Sequence, residues 1–254
     1  MTVRSTSARH KHGTRIAKQL PLLVASTPRR KRKPKRGRPK KLGAGVPHVR
    51  RPVLSPRHPV HVILRVVGAV GSLRRRIAYR AIRAATIVSV QKADFRICHL
   101  SSQRTHIHML VEADDQRALS RGMQSFQISA AKHLNRMISK DRPGPRRKGR
   151  VFSDRYYAEI IESPRQARHA LSYVLGNWRK HHEDRDPRLA SWSYDWFSSA
   201  WSFPDWAEEI NDPFFHPPPP NYEPLLVRRP TTWLLRIGWK RHGLISYREV
   251  PSAK

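Results

Sequence analysis

The chain has 254 residues, with 51 lysines and arginines against 18 aspartates and glutamates, a formal net charge of +33 and a sequence pI near 11.6. Such an imbalance calls for a polyanionic partner (DNA, RNA or an anionic membrane surface), with binding made salt-dependent by counterion release. The single cysteine, Cys98, excludes an internal disulfide and a cysteine-built zinc site and suits a reducing cytoplasm, and no apolar run reaches the length of a bilayer-spanning helix.

Residues 1 to 56 are rich in Pro, Lys and Arg and lack apolar periodicity; the first acidic residue of the whole chain is Asp94. They read as a disordered, solvated basic tail, although an acid-free, Arg- and Ser-containing N-terminus also mimics a transit peptide. Within the tail, Lys35-Arg36-Gly37-Arg38-Pro39-Lys40 resembles an AT-hook, whose thin extended core suits the narrow minor groove of A·T-rich DNA. Lys35, Arg36, Arg38 and Lys40 would then touch DNA, and a chance match in a Lys/Arg/Pro-rich tail explains the same residues equally well.

Residues 57 to 183 carry the periodicities of one packed domain. A strand is predicted at His61–Val67 and a helix at Leu73–Val90, with Leu73, Ile77, Ala81, Ala84 and Val88 on its apolar side. A strand at Phe95–Leu100 turns through Ser101-Ser102-Gln103 into a second strand at Thr105–Glu112. A long helix spans about 115–139, burying Leu119, Met123, Phe126, Ala130, Leu134 and Met137. A strand at Tyr156–Glu162 leads to a last helix whose start is marked by Ser163, Pro164 and Gln166: an N-cap, a first-turn proline and a capping-box partner. The order β-α-β-β-α-β-α predicts an α+β, ferredoxin-like antiparallel sheet with helices on one face. The other face is expected to stay open to nucleic acid.

Two features in this domain carry chemistry. On the strand Thr105–Glu112 successive side chains alternate, so His106, His108 and Leu110 share one face while Ile107, Met109 and Val111 pack on the core. Two imidazoles at i and i+2 can reach one divalent cation, although alone such a pair is better explained as surface histidines on an exposed sheet face, because the tripeptide is common. On the last helix Ala167, Ala170, Leu171, Val174 and Trp178 mark the buried stripe. Tyr173 and Asn177, spaced i and i+4, lie together on its flank, with His169 and Lys180 near Tyr173.

Residues 184 to 254 form an extension in which Trp192, Tyr194, Trp196, Phe197, Trp201, Phe203 and Trp206 crowd a short stretch and Pro217 to Pro220 make a stiff spacer. Thr231 to Trp239 predicts a short helix. The aromatics either stack on unpaired bases or dock on the core domain; docking is the preferred expectation.

His106-Ile107-His108 followed by Tyr173 and Asn177 resembles the single-tyrosine HUH transposases, and most of all the REP-associated tyrosine transposases. Arg57-His58-Pro59-Val60-His61-Val62 is similar to the family's opening strand. Ser120 to Ser125 and Leu134 to Arg136 resemble the helix after the histidine strand, and Gly149 to Tyr156 the segment before the last strand. The chain departs from the family at Thr105, where many relatives carry Asn, in a long basic loop from Ser139 to Arg150, and in its C-terminal extension.

The resemblance implies a transposase-type single-strand endonuclease and strand transferase. Tyr173 would attack a DNA phosphate to give a 5′-phosphotyrosine, with Mg²⁺ or Mn²⁺ held by His106, His108 and Asn177 polarising the phosphate. Two imidazoles make Mn²⁺ at least as good a candidate as the oxygen-preferring Mg²⁺. The implied substrate is single-stranded or hairpin DNA, with Lys180 among its contacts, and the protein would be bacterial, cytoplasmic and nucleoid-associated, a homodimer or a monomer, with no membrane partner. Tyr156 and Tyr157 are rival nucleophiles without a partner placed like Asn177. The alternatives are a domesticated, non-catalytic DNA- or RNA-binding protein on the same fold, and a basic RNA-associated protein.

Overall fold

The structure, a computed structural model, describes residues 52–140, 144–187, 192–208 and 221–251. The AT-hook-like Lys35–Lys40 and the four-proline run lie outside the described residues. Four strands, β1 (Val60–Arg65), β2 (Phe95–Ser102), β3 (His106–Ala113) and β4 (Tyr157–Ile160), form one antiparallel sheet in the order β2-β3-β1-β4. Helix α1 (Arg76–Val90) joins β1 to β2, α2 (Gln116–Lys140) joins β3 to β4, α3 (Pro164–Lys180) follows β4, and a single turn, α4 (Trp233–Arg236), lies in the extension. The predicted α+β ferredoxin-like order is the one observed.

Strand alternation places Val60, Val62, Leu64, Ile107, Met109 and Val111 on the α1/α2 side, in one core with Leu119, Met123, Phe126, Ala130 and Leu134. Gly122 sits inside α2 because the Phe95 ring occupies the space of its missing Cβ, which would lie 2.2 Å from a ring carbon. Strand β2 is longer than predicted. It runs through Ser101 and Ser102 with a bulge between Ile97 and His99, which brings Cys98 to the α3 side of the sheet.

Two expectations are corrected. Helix α1 starts at Arg76 rather than Leu73, and its buried residues are Ala78, Tyr79, Ala81, Ile82, Ala85, Thr86 and Ser89, so the face is rotated from the predicted stripe. Leu73 is buried outside the helix, where its N–H donates to the Arg104 carbonyl (2.9 Å). The rotation follows from two partners: α1 packs along α2, and Tyr79 turns to the extension, edge-on to Phe197 and stacked with Tyr222.

The second correction concerns the histidine face, which is covered rather than open. Helix α3 lies on it, and Leu110, Cys98 and Ile161 form a second apolar cluster with Leu171, Val174, Phe203, Trp206 and Trp239. Helix α3 is therefore buried on more than one stripe, with Ser172, Leu175, Gly176 and Asn177 buried as well. The extension packs on the described core: Ser102 N–H donates to the Phe197 carbonyl and Ser199 N–H to the Leu100 carbonyl (both 2.8 Å), covering the free edge of β2. Glu112, buried on β3, accepts from the N–H and hydroxyl of both Thr231 and Thr232 and pairs with Arg96, which fixes the start of α4.

Candidate active site

Helix α3 is set at its start by the predicted capping box. Ser163 Oγ accepts from the Gln166 N–H, and the Gln166 side chain accepts from the Ser163 N–H (3.1 Å). From there the helix carries Tyr173 across the two β3 histidines. The Tyr173 ring meets His108 edge-on with centroids 5.0 Å apart. One turn of helix further is Asn177, and one turn beyond that His181, whose ring lies 6.0 Å from His106. Tyr173 and His181 bracket the pair, so Asn177, spaced four residues from each, faces it from the middle of the same helical line. His106 and His108 rings are 4.7 Å apart and nearly perpendicular.

The histidines are kept neutral. Burial, reinforced by the neighbouring imidazoles, pushes His108 down to about 2, and burial with His181 and Arg65 nearby pushes His106 to about 4. His108 Nδ1 lies 3.2 Å from His61 Nε2, and the two rings stack with centroids 5.3 Å apart. Thr105 Oγ1 is 3.2 Å from His106 Nδ1. Burial raises the Tyr173 phenol above its usual value, so it is a neutral hydroxyl at rest. The Lys180 ammonium lies 4.7 Å from the centre of its ring.

Three buried polar atoms here have no hydrogen-bond partner: His108 Nε2 and both side-chain atoms of Asn177, a residue with no exposure at all. Orphaned buried groups of this kind carry a desolvation cost of about 1–3 kcal/mol each, and their clustering at the histidine pair suits a missing ligand. A neutral imidazole nitrogen and an amide oxygen are both donors that a divalent cation accepts. Among the described residues no three His, Cys, Asp or Glu side chains converge on one point, so a cation here needs the Asn177 amide as its third protein donor.

Tyr173, His61, Lys180 and His169 open on a cavity of about 730 Å³ whose far wall is Glu249, Val250 and Pro251 of the extension. That wall is tied to α3: Arg168 holds Glu249 with two bonds (2.9 and 2.7 Å) and Ser172 Oγ donates to it (2.6 Å).

Of the residues singled out from the sequence, His106, His108, Tyr173, Asn177, Lys180 and His169 lie at or beside this site, whereas Lys35, Arg36, Arg38 and Lys40 lie outside the described residues. Tyr156 is buried in the α1/α2 core, away from the histidines, whereas Tyr157, 47 % exposed, pairs with Ile63 and so shares the histidine face on the edge strand β4, two strands from His108. His99, buried beside Ser199, has its ring against Phe203. The sequence places His61 and His99 near the histidine face, in a structural or DNA-contact role rather than as ligands, but carries no sign of the His61–His108 contact, and the approach of His181 was missed. The 173/177/181 spacing was a usable sign of the second; the first depends on the β1–β3 register.

Residues 57–177 match the family described as IS200-like transposases, a stretch that takes in both histidines, the tyrosine and the asparagine. A solved structure, the REP-associated tyrosine transposase bound to a REP hairpin, is similar at a TM-score of 0.44 and 14 % identity, over 59 % of this chain and 81 % of that one. The curated proteins hold no match.

Proposed function

From the match of residues 57–177 to the IS200-like transposase family, we propose that the protein cuts and rejoins single strands of DNA through Tyr173. The observation that carries the reading is the tyrosine ring laid edge-on against His108, with the orphaned His108 Nε2 and Asn177 amide beside it.

Tyr173 Oη attacks the phosphorus. The bond from phosphorus to the 3′ oxygen breaks, leaving a 5′-phosphotyrosine and a 3′-hydroxyl; the phenol proton is lost and the leaving oxygen gains one. His106, His108 and Asn177 would hold a divalent cation, Mg²⁺ or Mn²⁺, which supplies charge stabilisation at the phosphate. His61 and Thr105 orient the two imidazoles through their Nδ1 atoms. Burial raises the Tyr173 phenol, so it needs help to ionise; the Lys180 ammonium stands 4.7 Å from the centre of its ring. The covalent link keeps the phosphodiester energy, so the 3′-hydroxyl reverses the step without a nucleotide cofactor. The family supports DNA as the partner, and the excess of basic residues agrees with it.

The test is a covalent-adduct assay with labelled single-stranded hairpins from the flanks of the gene, with Mn²⁺, on a denaturing gel. A shifted band that requires metal and is absent in Tyr173→Phe is the expected result. An adduct that persists in Tyr173→Phe would sink the assignment. Tight hairpin binding with no adduct would favour the non-catalytic binding protein.

A further inference from the structure

A second cleft, about 720 Å³, lies outside the tyrosine site. The start of α1 contributes Arg75, Arg76 and Arg80, the β2–β3 turn contributes Arg104, and the extension contributes Trp196 and Tyr222. We propose that this cleft holds an unpaired nucleotide of the DNA strand next to the cut phosphate, its base against Trp196 and Tyr222 and its phosphates on Arg76 and Arg80. The proposal rests on the strand-cutting reading above for the identity of the strand.

The first argument is position. Arg104 is two residues before His106, and two residues of strand span about 7 Å. Arg104 also holds Glu183 through a 2.6 Å bond, and Glu183 is two residues after His181, the residue that meets His106. The cleft therefore begins where the histidine pair ends, on the side away from the cavity lined by Glu249.

The second argument is chemistry. Arg74 is held by Asp195 with two bonds of 3.0 and 2.9 Å, by the Ser102 carbonyl and by an ion pair to Glu183. Arg76, by contrast, donates to the Asn221 carbonyl oxygen, and neither it nor the exposed Arg80 has an ion pair among the described residues. These cations crowd a helix start with no acidic residue in its first turn, where the helix dipole disfavours them; phosphates relieve that repulsion. In the same cleft the Trp196 ring is half-buried, edge-on to Trp192 and Tyr222, with Nε1 buried and unpartnered. The carboxylates Glu183, Asp186 and Glu223 also line the cleft, but Glu183 is held by Arg104 and Glu223 by Arg83; arginines and rings lining one cleft suit a single strand, whose bases are free to stack, and not a duplex.

The experiment uses the full chain as Tyr173→Phe without metal, so that binding is read apart from cutting. Single-stranded oligodeoxynucleotides carrying one 5-iododeoxyuridine at successive positions are irradiated and the cross-linked peptides mapped; the expected cross-link is at Trp196 or Tyr222 from one position of the strand. The surface variant Arg76→Gln/Arg80→Gln should lose about ten-fold in affinity and lower the salt slope by about 1.4, two single-strand phosphate contacts. Trp196→Leu should abolish the preference for an intact over an abasic nucleotide at the cross-linking position; if it fails to fold, the arginine variant still decides. Cross-links confined to other regions, or an arginine variant with wild-type affinity and slope, would overturn the cleft even where Tyr173 forms its adduct. Equal cross-linking of a duplex at Trp196 would overturn the single-strand assignment. Failure of the adduct assay alongside the expected cross-link would instead remove the cutting reading and leave the cleft as a binding site.

Discussion

His61 on β1 reaches diagonally across to His108 on β3, with Nε2 3.2 Å from Nδ1. If the Nδ1 proton lies on His108, its Nε2 presents a lone pair toward the unpaired Asn177 amide, the tautomer a cation requires. Removing an outer partner of a ligating histidine typically costs 10–100-fold in metal affinity. His61→Ala should therefore weaken Mn²⁺ binding to Tyr173→Phe protein by about 10–100-fold, and His61→Gln should restore part of it. Electron paramagnetic resonance of free Mn²⁺ reads this without turnover, and unchanged affinity in His61→Ala would remove its positioning role.

Asn177 buries an amide with no partner, so the metal-free fold should tolerate its loss. Asn177→Leu keeps the branched shape and heavy-atom count and removes the unsatisfied polar atoms; it should raise stability by about 1 kcal/mol while abolishing any rise in Tm on adding Mn²⁺. Thermal unfolding with and without metal measures both. A destabilised Asn177→Leu would show that the amide has a partner in the apo protein.

Acid should weaken the fold through its buried neutral imidazoles. Burial pushes His99 down to about 4, and the ordinary value is 6.5. Between those limits the unfolded chain binds a proton that the folded chain refuses, so stability falls as pH drops from about 6.5 to 4, by up to about 1.4 kcal/mol per pH unit for this residue. His106 and His108, also depressed, act in the same direction. Urea unfolding across this window should give a slope that flattens in His99→Gln. A slope identical to wild type would assign the acid sensitivity to other groups.

Gly122→Ala should destabilise although alanine is the better helix former. The added methyl would fall 2.2 Å from the Phe95 ring, and overpacking of this kind costs about 1–3 kcal/mol, more than the about 1 kcal/mol gained in helix propensity. The double change Gly122→Ala/Phe95→Leu should recover part of the loss, as read from chemical denaturation. A Gly122→Ala protein more stable than wild type would mean that the ring moves freely.

Much of this architecture is written in local pattern. The alternation of Ile107, Met109 and Val111 against His106, His108 and Leu110 assigns both faces of β3, because strand side chains alternate whatever surrounds them. Ser163, Pro164 and Gln166 place the start of α3, and thereby the shared line of Tyr173 and Asn177, because capping is satisfied within a single turn. The α1 stripe was misread because Tyr79 and Ala78 answer to partners far away in sequence, α2 and the ring of Tyr222, and periodicity cannot register those.

The sequence by itself determined the order of elements, the pairing of two histidines on one strand face and the tyrosine–asparagine line on a helix, since each follows from backbone geometry over a few residues. Only the tertiary structure decided that β1 lies beside β3, bringing His61 to His108, that α3 and the extension cover the histidine face, and that Arg76, Arg80 and Trp196 line one cleft. Those contacts join residues more than about 100 positions apart, as with Leu110 and Trp239. What selects them is the burial of Leu110, Trp206 and Trp239 in one apolar cluster, a demand of the whole surface that no local window contains.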